Sequence, residues 1–399
     1  MKKVLGNQRL VRITNQKLII DAIRENGLIS RAELSKLLKL SLPSVSSNID
    51  RLIKQGLLVE VGEGDSSGGR KPIMLEFNNN YGNIIGIDMA GMEVKVAVSN
   101  LKPEILAKMT FAISENSNGE EILQILIEKV SEIISKYKLH KIMAIVIAIP
   151  GIINSKDGYV EYSYRFRELA RVDIKKAFEE QFKTTILLRN DINTAVLGEL
   201  CYGCGKGYLN LVYVGVDVGI GAGIVLNGKL YEGAHYCAGE IGYLALSQDV
   251  FETKHRKRRY LGPIASIKSI VENVKSSIKN GAESSILSFV NGDAEKISFI
   301  HVVKALQEGD KLCYEHVINS ARILGIAVSN IANILDVDLI IIGNEAENFG
   351  PDYINTVRSV VNKMTVTSPQ IAYSLLKNEA VIYGTFAIAL EYILNNIIK

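Results

Sequence analysis

The 399-residue sequence has no tryptophan, seven prolines and only four cysteines. So few cysteines cannot form a disulfide framework in a chain of this length, which favours a reducing compartment. The longest apolar run, Ile142 to Ile149, is too short to cross a bilayer and stops at Pro150, as a buried strand does. A signal-peptide block is also missing. We therefore predict a cytoplasmic protein with no membrane partner.

The charge of the chain is small and unevenly distributed. Residues 1–80 hold 13 Lys and Arg against 8 Asp and Glu, and the remainder holds 33 against 35. A basic N-terminal segment suits contact with phosphates, although an excess of +5 also arises from ordinary local variation. The length predicts two or three domains.

Residues 15–77 are predicted to form three short helices and a hairpin. The first helix covers about residues 15–25, and its apolar stripe is Leu18, Ile19, Ala22 and Ile23. A capping box from Ser30 to Glu33 opens the second helix, which points Leu34, Leu37 and Leu38 inward. Ser41 caps the third helix, and Pro43 lies in its first turn. This order of elements is typical of a winged helix-turn-helix.

The third helix has two chemically opposite faces. The predicted core face consists of Val45, Ile49, Leu52 and Ile53. The opposite face is small and polar, which suits a DNA major groove, and its candidate DNA-binding residues are Ser44, Ser47, Asn48 and Arg51. Arg70 and Lys71 lie at the tip of the hairpin and are candidates for minor-groove or phosphate contacts. The alternative is a three-helix domain that binds a protein.

The body contains two similar strand–turn–strand segments. Residues 84–99 and 211–226 each predict two strands joined by a glycine-bearing turn. Two such halves facing a cleft describe a duplicated α/β fold of the actin-like and sugar-kinase-like (ribonuclease H-like) kind. Between them, one predicted strand precedes Pro150 to Asn154 and another ends at Asp191. Ligands of α/β proteins bind at the carboxyl ends of such strands.

Six motifs resemble those of the ROK family (repressor, open reading frame, kinase). They are SSGGRKP at 66–72, GIDMAG at 86–91, PGIIN at 150–154, RNDINTAVLGE at 189–199, the glycine turn at 217–223 and AGEIGY at 238–243. Their order and spacing are similar to those of the repressor branch over essentially the whole chain. The resemblance implies a winged helix-turn-helix at 1–80, a first α/β lobe at 81–200, and a second lobe at 201–399 whose C-terminal helix packs back on the first.

The resemblance also implies a sugar site. Asp191 matches the aspartate that accepts the sugar hydroxyl proton in ROK kinases, while Asn190 and Glu240 match residues that bind ring hydroxyls. Asn154 is included as a sugar-binding candidate from the PGIIN motif, and Tyr243 stands where many members have histidine. Asn190 and Asp191 also suit a purely structural role, the capping of the helix that follows them.

Elements that would bind ATP or zinc depart from the family pattern. The first turn ends in Met92 instead of threonine, the second begins Asp217-Val218, and the late strand continues as Asn344-Glu345. These changes remove phosphate donors and add negative charge, so no kinase activity, catalytic residue or cofactor is expected. The zinc loop lacks cysteine and contains the basic run 254–259, so no metal is expected, and Cys201 and Cys204 are interpreted as structural thiols.

Three hypotheses follow. The first is a repressor of sugar-metabolism genes that binds operator DNA as a homodimer or homotetramer and responds to a sugar effector, with xylose, glucose, N-acetylglucosamine and their phosphates as candidates. The second is a sugar kinase that binds DNA. The third is a DNA-binding protein whose cleft persists without a ligand.

Overall fold

The computed structural model describes residues 8–64, 71–91, 93–114, 116–246 and 260–398. Its N-terminal part, called the head here, is a three-helix unit with a three-stranded sheet. The elements of the head are α1 Gln8–Asn26, β1 Ile29–Ser30, α2 Arg31–Leu38, α3 Leu42–Lys54, β2 Leu58–Glu63 and β3 Ile73–Phe77. Strand β3 lies between β1 and β2 and is antiparallel to both. The predicted winged helix-turn-helix is therefore confirmed.

Capping residues define the N-termini of α2 and α3 in the head. The Ser30 side chain accepts a hydrogen bond from the Glu33 backbone N–H, and the Glu33 carboxylate accepts one from the Ser30 N–H, so the predicted capping box is present. Ser41 takes the N-cap position of α3 without a side-chain capping bond. Leu18 and Leu37 were both predicted to face the core, but both are exposed. Helices α1 and α2 therefore bury narrower apolar stripes than the spacing of their leucines indicates.

The first lobe contains a five-stranded mixed sheet. Its elements are β4 Asn83–Asp88, β5 Val94–Ser99, β6 Ile105–Phe111, α4 Gly119–Lys136, β7 Ile142–Ile149, β8 Ile152–Asn154, β9 Tyr159–Tyr162, α5 Ile174–Phe182, β10 Thr185–Asn190 and α6 Asp191–Tyr202. The strand order is β6-β5-β4-β7-β10, with β4, β7 and β10 parallel. Strands β4 and β5 form the first predicted hairpin.

The second lobe repeats this arrangement. Its elements are β11 Leu211–Val216, β12 Ile220–Leu226, β13 Lys229–Leu230, α7 Leu261–Ala265, α8 Ile267–Lys279, α9 Phe299–Gln307, α10 Lys311–Leu335, β14 Leu339–Asn344, α11 Pro351–Met364, β15 Gln370–Tyr373 and α12 Ala380–Asn396. The order β13-β12-β11-β14-β15 matches the first sheet strand for strand, with β11, β14 and β15 parallel. The predicted duplication is confirmed.

Helices α6 and α12 lie between the two sheets. Their buried side chains share a core with residues of both sheets, including Ala148 of β7 and Leu339 of β14. The two helices approach closely because they cross at glycines: a Cβ on Gly384 would lie 1.8 Å from the Thr194 carbonyl oxygen. The C-terminal helix therefore packs against the first lobe.

Helix α10 is long and apolar enough to satisfy a simple membrane-span criterion. More than half of its apolar window is buried, and its inward side chains, such as Leu324 and Val328, belong to the main core of the second lobe. This burial identifies α10 as a core helix.

One hydrophobic core is shared by the head and the first lobe. Ile19 and Ile23 of α1 belong to the same buried cluster as Phe386 and Ile393 of α12. At the edge of this contact, the Lys17 ammonium group donates a hydrogen bond to the Asn395 side-chain oxygen over 3.0 Å. The head is thus packed directly against the C-terminal helix.

Candidate functional site

Helix α3 presents a polar surface on the outside of the head. Its apolar residues Val45, Ile49 and Leu52 are fully buried against α1 and α2, which fixes the rotation of the helix. Ser47 and Arg51 consequently lie on the exposed side, and Ser44 is half-buried beside them. This surface offers hydroxyl and guanidinium groups of the kind that bind base edges or phosphates.

Asn48 does not belong to that surface. Its side chain is only 7% exposed, and its Nδ2 donates a hydrogen bond to the Ser44 carbonyl oxygen over 2.9 Å. Three residues after Val45 and four before Leu52, position 48 adjoins the buried stripe of the helix. The prediction that Asn48 lies on the exposed reading face is therefore wrong.

An ion-pair bridge not predicted from the sequence holds α3 in place. Arg31, the first residue of α2, binds the Asp50 carboxylate of α3 at 2.7 Å and the Glu60 carboxylate of β2 at 3.0 Å. The bridge connects α2, α3 and the hairpin around one guanidinium group. A forked, planar side chain suits such a shared contact.

The two strands of the hairpin, or wing, stay paired up to its turn. The Gly64 backbone N–H donates to the Pro72 carbonyl oxygen at 2.8 Å, so the two strands are still paired where they enter the turn. Lys71 is exposed at this point. Arg70 lies outside the described residues, and its DNA contact stays a prediction.

A cleft of about 1270 Å³ lies between the two lobes of the body. It opens at the carboxyl ends of β10, β11 and β14, where parallel α/β sheets bind ligands. Of the sugar-binding candidates, Asn190, Asp191, Glu240 and Tyr243 line this cleft together. Residues of both lobes complete its wall, among them Tyr162 and Tyr164 of the first lobe.

Asn190 has a structural role and faces the cleft. Its Oδ1 accepts a hydrogen bond from the Asn193 backbone N–H and so caps α6, while its Nδ2 donates to the Gly151 carbonyl oxygen, both at 2.8 Å. The two bonds orient the amide and tie the start of α6 to the turn after β7. One amide hydrogen remains for a ligand, so the capping role and the binding role are compatible.

Asp191 lies at the floor of the cleft. It is the first residue of α6 and is 4% exposed. Burial raises the pKa of Asp191 to about 7, and the negative charges of Asp88 and Asp217 add to the rise, whereas hydrogen bonds from the backbone N–H groups of residues 191 and 192 oppose it. Near neutral pH the group can therefore accept or donate a hydrogen bond to a ligand hydroxyl.

Two further carboxylates surround Asp191. Asp88, at the end of β4, is buried, lies 3.4 Å from the Lys95 ammonium group and has a raised pKa owing mainly to desolvation. Asp217, at the end of β11, also has a pKa raised by burial, and the nearby Arg165 guanidinium opposes that rise. Carboxyl groups in the cleft and directly behind it disfavour an anionic ligand.

Glu240 and Tyr243 project from the loop between β13 and α7. The Glu240 carboxylate opens into the cleft, whose walls raise its pKa by desolvation. Tyr243 is 69% exposed, and its ring meets the ring of Tyr260 edge-on with centroids 6.2 Å apart. Cys237, which sequence reasoning did not select, lines the same wall. The exposed ring of Tyr243 beside a carboxylate suits stacking and hydrogen bonding to a polyol.

Asn154 does not take part in this constellation. Its Oδ1 accepts a hydrogen bond from the Asp157 backbone N–H at 2.9 Å, and its Nδ2 donates to the Asp157 carboxylate at 3.0 Å. The side chain thus closes the turn between β8 and β9, and Asn154 is absent from the described residues that line the cleft. The prediction that Asn154 binds the sugar is corrected on this ground.

The turns that would bind phosphates carry acidic and apolar side chains. Asp217 accepts a hydrogen bond from the Val218 backbone N–H at 2.8 Å, which occupies a donor that a phosphate would use. Val218 is 49% exposed and lines the cleft. Met92 of the first turn lies outside the described residues.

Asn344 fills the end of β14. Its φ of 59° is unusual for a non-glycine residue, and its Oδ1 accepts a hydrogen bond from the Tyr213 hydroxyl at 2.8 Å. The amide lies over Gly215, where an added Cβ would be 3.3 Å from the Asn344 oxygen. A side chain therefore occupies the end of β14, at the position where the sequence departs from the family pattern.

Among the described residues, no three His, Cys, Asp or Glu side chains are grouped to hold a metal ion. Cys201 is exposed, and Cys204 is half-buried with its thiol 3.2 Å from the Glu199 carboxylate. Burial and the Glu199 charge raise the pKa of Cys204 to about 12, which makes the thiol unreactive. The basic run 254–259 lies outside the described residues.

Comparisons with known proteins agree with this architecture. The ROK family model matches residues 84–391, and a winged helix-turn-helix DNA-binding model matches residues 14–59. The xylose repressor of Caldicellulosiruptor bescii is 30% identical over 98% of this chain and 99% of its own length.

Two solved structures share the fold. A ROK family transcriptional regulator, a homologue of the Escherichia coli MLC protein, superposes with a TM-score of 0.83 at 23% identity and covers 97% of this chain and 98% of its own. A ROK family glucokinase from Streptomyces griseus, in complex with glucose and AMPPNP, has a TM-score of 0.67 at 21% identity and covers 78% of this chain and 100% of its own.

Proposed function

The chain belongs to the ROK family, and from this premise we propose that it is a sequence-specific transcriptional repressor of sugar-metabolism genes, cytoplasmic and controlled by a sugar. The observation that carries the proposal is the presence, in one packed molecule, of a helix-turn-helix head and a cleft lined by amide, carboxyl and tyrosine side chains. The head shares its hydrophobic core with α12, and α12 crosses α6, whose first residue is Asp191 at the cleft floor.

The head would bind operator DNA through α3 and the wing. Ser47 and Arg51 face outward on α3, and Lys71 lies at the base of the wing. A recognition helix of this kind reads one half-site, so a homodimer, or a homotetramer built from dimers, would read two half-sites separated by a whole number of helical turns.

The cleft would bind the effector through four groups. Asn190, Asp191 and Glu240 supply amide and carboxylate contacts to ring hydroxyls, and Tyr243 supplies an aromatic face. A sugar that bound both lobes would favour one arrangement of them. Because the head is packed on α12, the sugar would then change the position of the head, provided that the two arrangements differ in sugar affinity.

We further propose that the chain does not phosphorylate the sugar. Asp217 and Asn344 occupy places where a kinase needs phosphate and nucleotide contacts, and the charge of Asp217 opposes a triphosphate. Asp191 retains the position and the raised pKa of a catalytic base, so a sugar kinase is the second candidate. A coupled ATPase assay over a sugar panel, repeated with Asp191→Asn, separates them: sugar-dependent turnover lost in the variant would establish the kinase.

The repressor is tested by fluorescence anisotropy of the full-length protein on DNA from upstream of its own gene, at fixed salt, titrated with mono- and disaccharides. We expect tight specific binding that one sugar releases or tightens. Glu240→Gln should bind the DNA as the wild type does and lose the response to sugar, whereas Glu308→Gln, an exposed change outside the cleft at the end of α9, should keep it.

Each other outcome has a definite meaning. Tight binding to the DNA that no sugar changes would contradict sugar control and would favour a ligand-independent DNA-binding protein. Absence of specific binding to any upstream segment would contradict the regulatory role altogether. A sugar response that persists in Glu240→Gln would place the effector elsewhere.

A further inference from the structure

The cleft continues past the residues assigned to the sugar. Beyond Asp191 and Asp217 it extends into an arm, bounded by α8 and α10, whose side chains include Lys268, Glu272, Asn273, Ser276, Asn319 and Ile323. The whole cavity, about 1270 Å³, exceeds the roughly 300–1,000 Å³ of ordinary small-molecule sites. A single monosaccharide ring at Asn190 would leave the arm filled with water.

The arm has the chemistry of a site for a neutral polyol. Residues 268, 272 and 276 follow one another at intervals of four on α8, so they form one face of that helix. Lys268 and Glu272 cancel in charge, while Asn273, Ser276 and Asn319 each both donate and accept hydrogen bonds. Such side chains match the mixed donors and acceptors of sugar hydroxyls.

Two apolar side chains accompany these polar groups. Val218, 49% exposed, and Ile323 both line the cavity. A pyranose ring presents hydroxyls at its rim and C–H groups on its faces, so it can use both the amides and an apolar side chain. A residue such as Val218 gives a charged phosphate no contact.

Anionic occupants are disfavoured at the junction between the two parts of the cleft. Asp191 and Asp217 line this junction, and burial together with the charge of Asp217 raises the pKa of the neighbouring Glu345. A nucleotide or a sugar phosphate would bring negative charge into this field, with Lys268 as the one basic side chain among the described residues that line the cavity.

We infer that the arm between α8 and α10 is a second sugar subsite, and that the effector is an uncharged oligosaccharide of at least two rings. The inference rests on the proposed sugar control and specifies the ligand of the same cleft. One ring would lie against Asn190, Asp191 and Glu240, and the next would reach Asn273 and Asn319.

Isothermal titration calorimetry on the full-length protein tests this inference with matched probes: xylose and xylobiose, glucose and cellobiose, N-acetylglucosamine and chitobiose. For one pair, the disaccharide should bind at least tenfold more tightly than its monosaccharide. Asn273→Leu and Asn319→Leu should each reduce disaccharide affinity about tenfold and leave monosaccharide affinity unchanged. Asn116→Leu, the same change on an exposed loop of the first lobe, is the control.

The outcomes separate the inference from the function on which it rests. Equal affinities for the two sugars of every pair would overturn the second subsite, and so would a higher disaccharide affinity that both leucine variants retain. In either case, release of the operator by a sugar would still support the repressor. Failure of all six sugars to bind or to release the operator would overturn both. Tight binding of Mg-ADP that Asn319→Leu weakens would assign the arm to a nucleotide. If a leucine variant unfolds, Ser276→Val repeats the test on the same face.

Discussion

Replacing Asp191 with asparagine should stabilise the protein, and more so at high pH. In the folded chain, burial and neighbouring acids raise the pKa of Asp191 from its ordinary value of 3.8 to about 7. A carboxyl with a raised folded pKa contributes its full stability below the unfolded value and loses it as pH rises toward the folded value. An asparagine is neutral throughout and can keep the two backbone hydrogen bonds through its oxygen.

The size of the effect follows from the two pKa values. A separation of about 3 corresponds to a cost of about 4 kcal/mol once Asp191 is fully ionised. Roughly 1.5 kcal/mol of this cost is already present at pH 5, so the advantage of Asp191→Asn should grow by about 2–3 kcal/mol between pH 5 and pH 8. Repulsion from Asp88 and Asp217 is part of this cost, and a neutral asparagine escapes it.

Urea denaturation of the wild type and the variant at pH 5, 6, 7 and 8 measures the difference. Asp352→Asn, the same substitution at an exposed site in α11, is the control and should show no comparable trend. A stability difference for Asp191→Asn that is constant from pH 5 to pH 8 would refute the reasoning, because the ionisation of Asp191 would then cost nothing. A variant less stable than the wild type at pH 8 would refute it as well.

Three further predictions concern the head and the helix crossing. In Lys71→Ala, the slope of log affinity for the operator against log salt concentration should become about one unit less steep, as measured by anisotropy in a salt series. An unchanged slope would exclude a phosphate contact at Lys71. Ser30→Ala removes a capping box and should reduce the free energy of unfolding by about 1 kcal/mol, whereas an unchanged urea midpoint would mean that the cap is dispensable. Gly384→Val should unfold or insolubilise the chain, because a Cβ at position 384 would lie 1.8 Å from the Thr194 carbonyl oxygen. Gly219→Ala, a substitution with open space around it, is the control and should fold normally by circular dichroism. A soluble, folded Gly384→Val variant would show that the helix crossing can relax.

Local chemistry made much of the architecture predictable from sequence. The Ser30 capping box and the glycine-bearing turns depend on residues within a few positions of one another, and both were found where expected. Such local features need no knowledge of how distant elements pack. The grouping of Asn190, Asp191, Glu240 and Tyr243 in one cleft was instead expected from the resemblance to ROK family motifs, which brings in the packing of the whole fold.

The errors arose where tertiary contacts decide. Asn48 has a polar side chain at the border of an apolar stripe, and the packing of α3 against its neighbours buries it. Asn154 forms a turn with Asp157, a local alternative that its motif concealed. The partners of Arg31 in its ion-pair bridge, Asp50 and Glu60, follow it by 19 and 29 positions in the sequence. No periodic pattern indicates ion pairs at such separations.

The core shared by the head and the C-terminal helix limits how this protein can be recombined. A fragment ending near residue 80 would lack α12, whose Phe386 and Ile393 share a buried cluster with Ile19 and Ile23, and would expose part of that cluster. A head exchanged with that of another family member would keep its own reading surface but would meet an α12 shaped for a different partner. New operator specificity is therefore more accessible through single changes on the outer face of α3, such as at Ser47 and Arg51, than through domain swapping, and the two ends of the chain must evolve together.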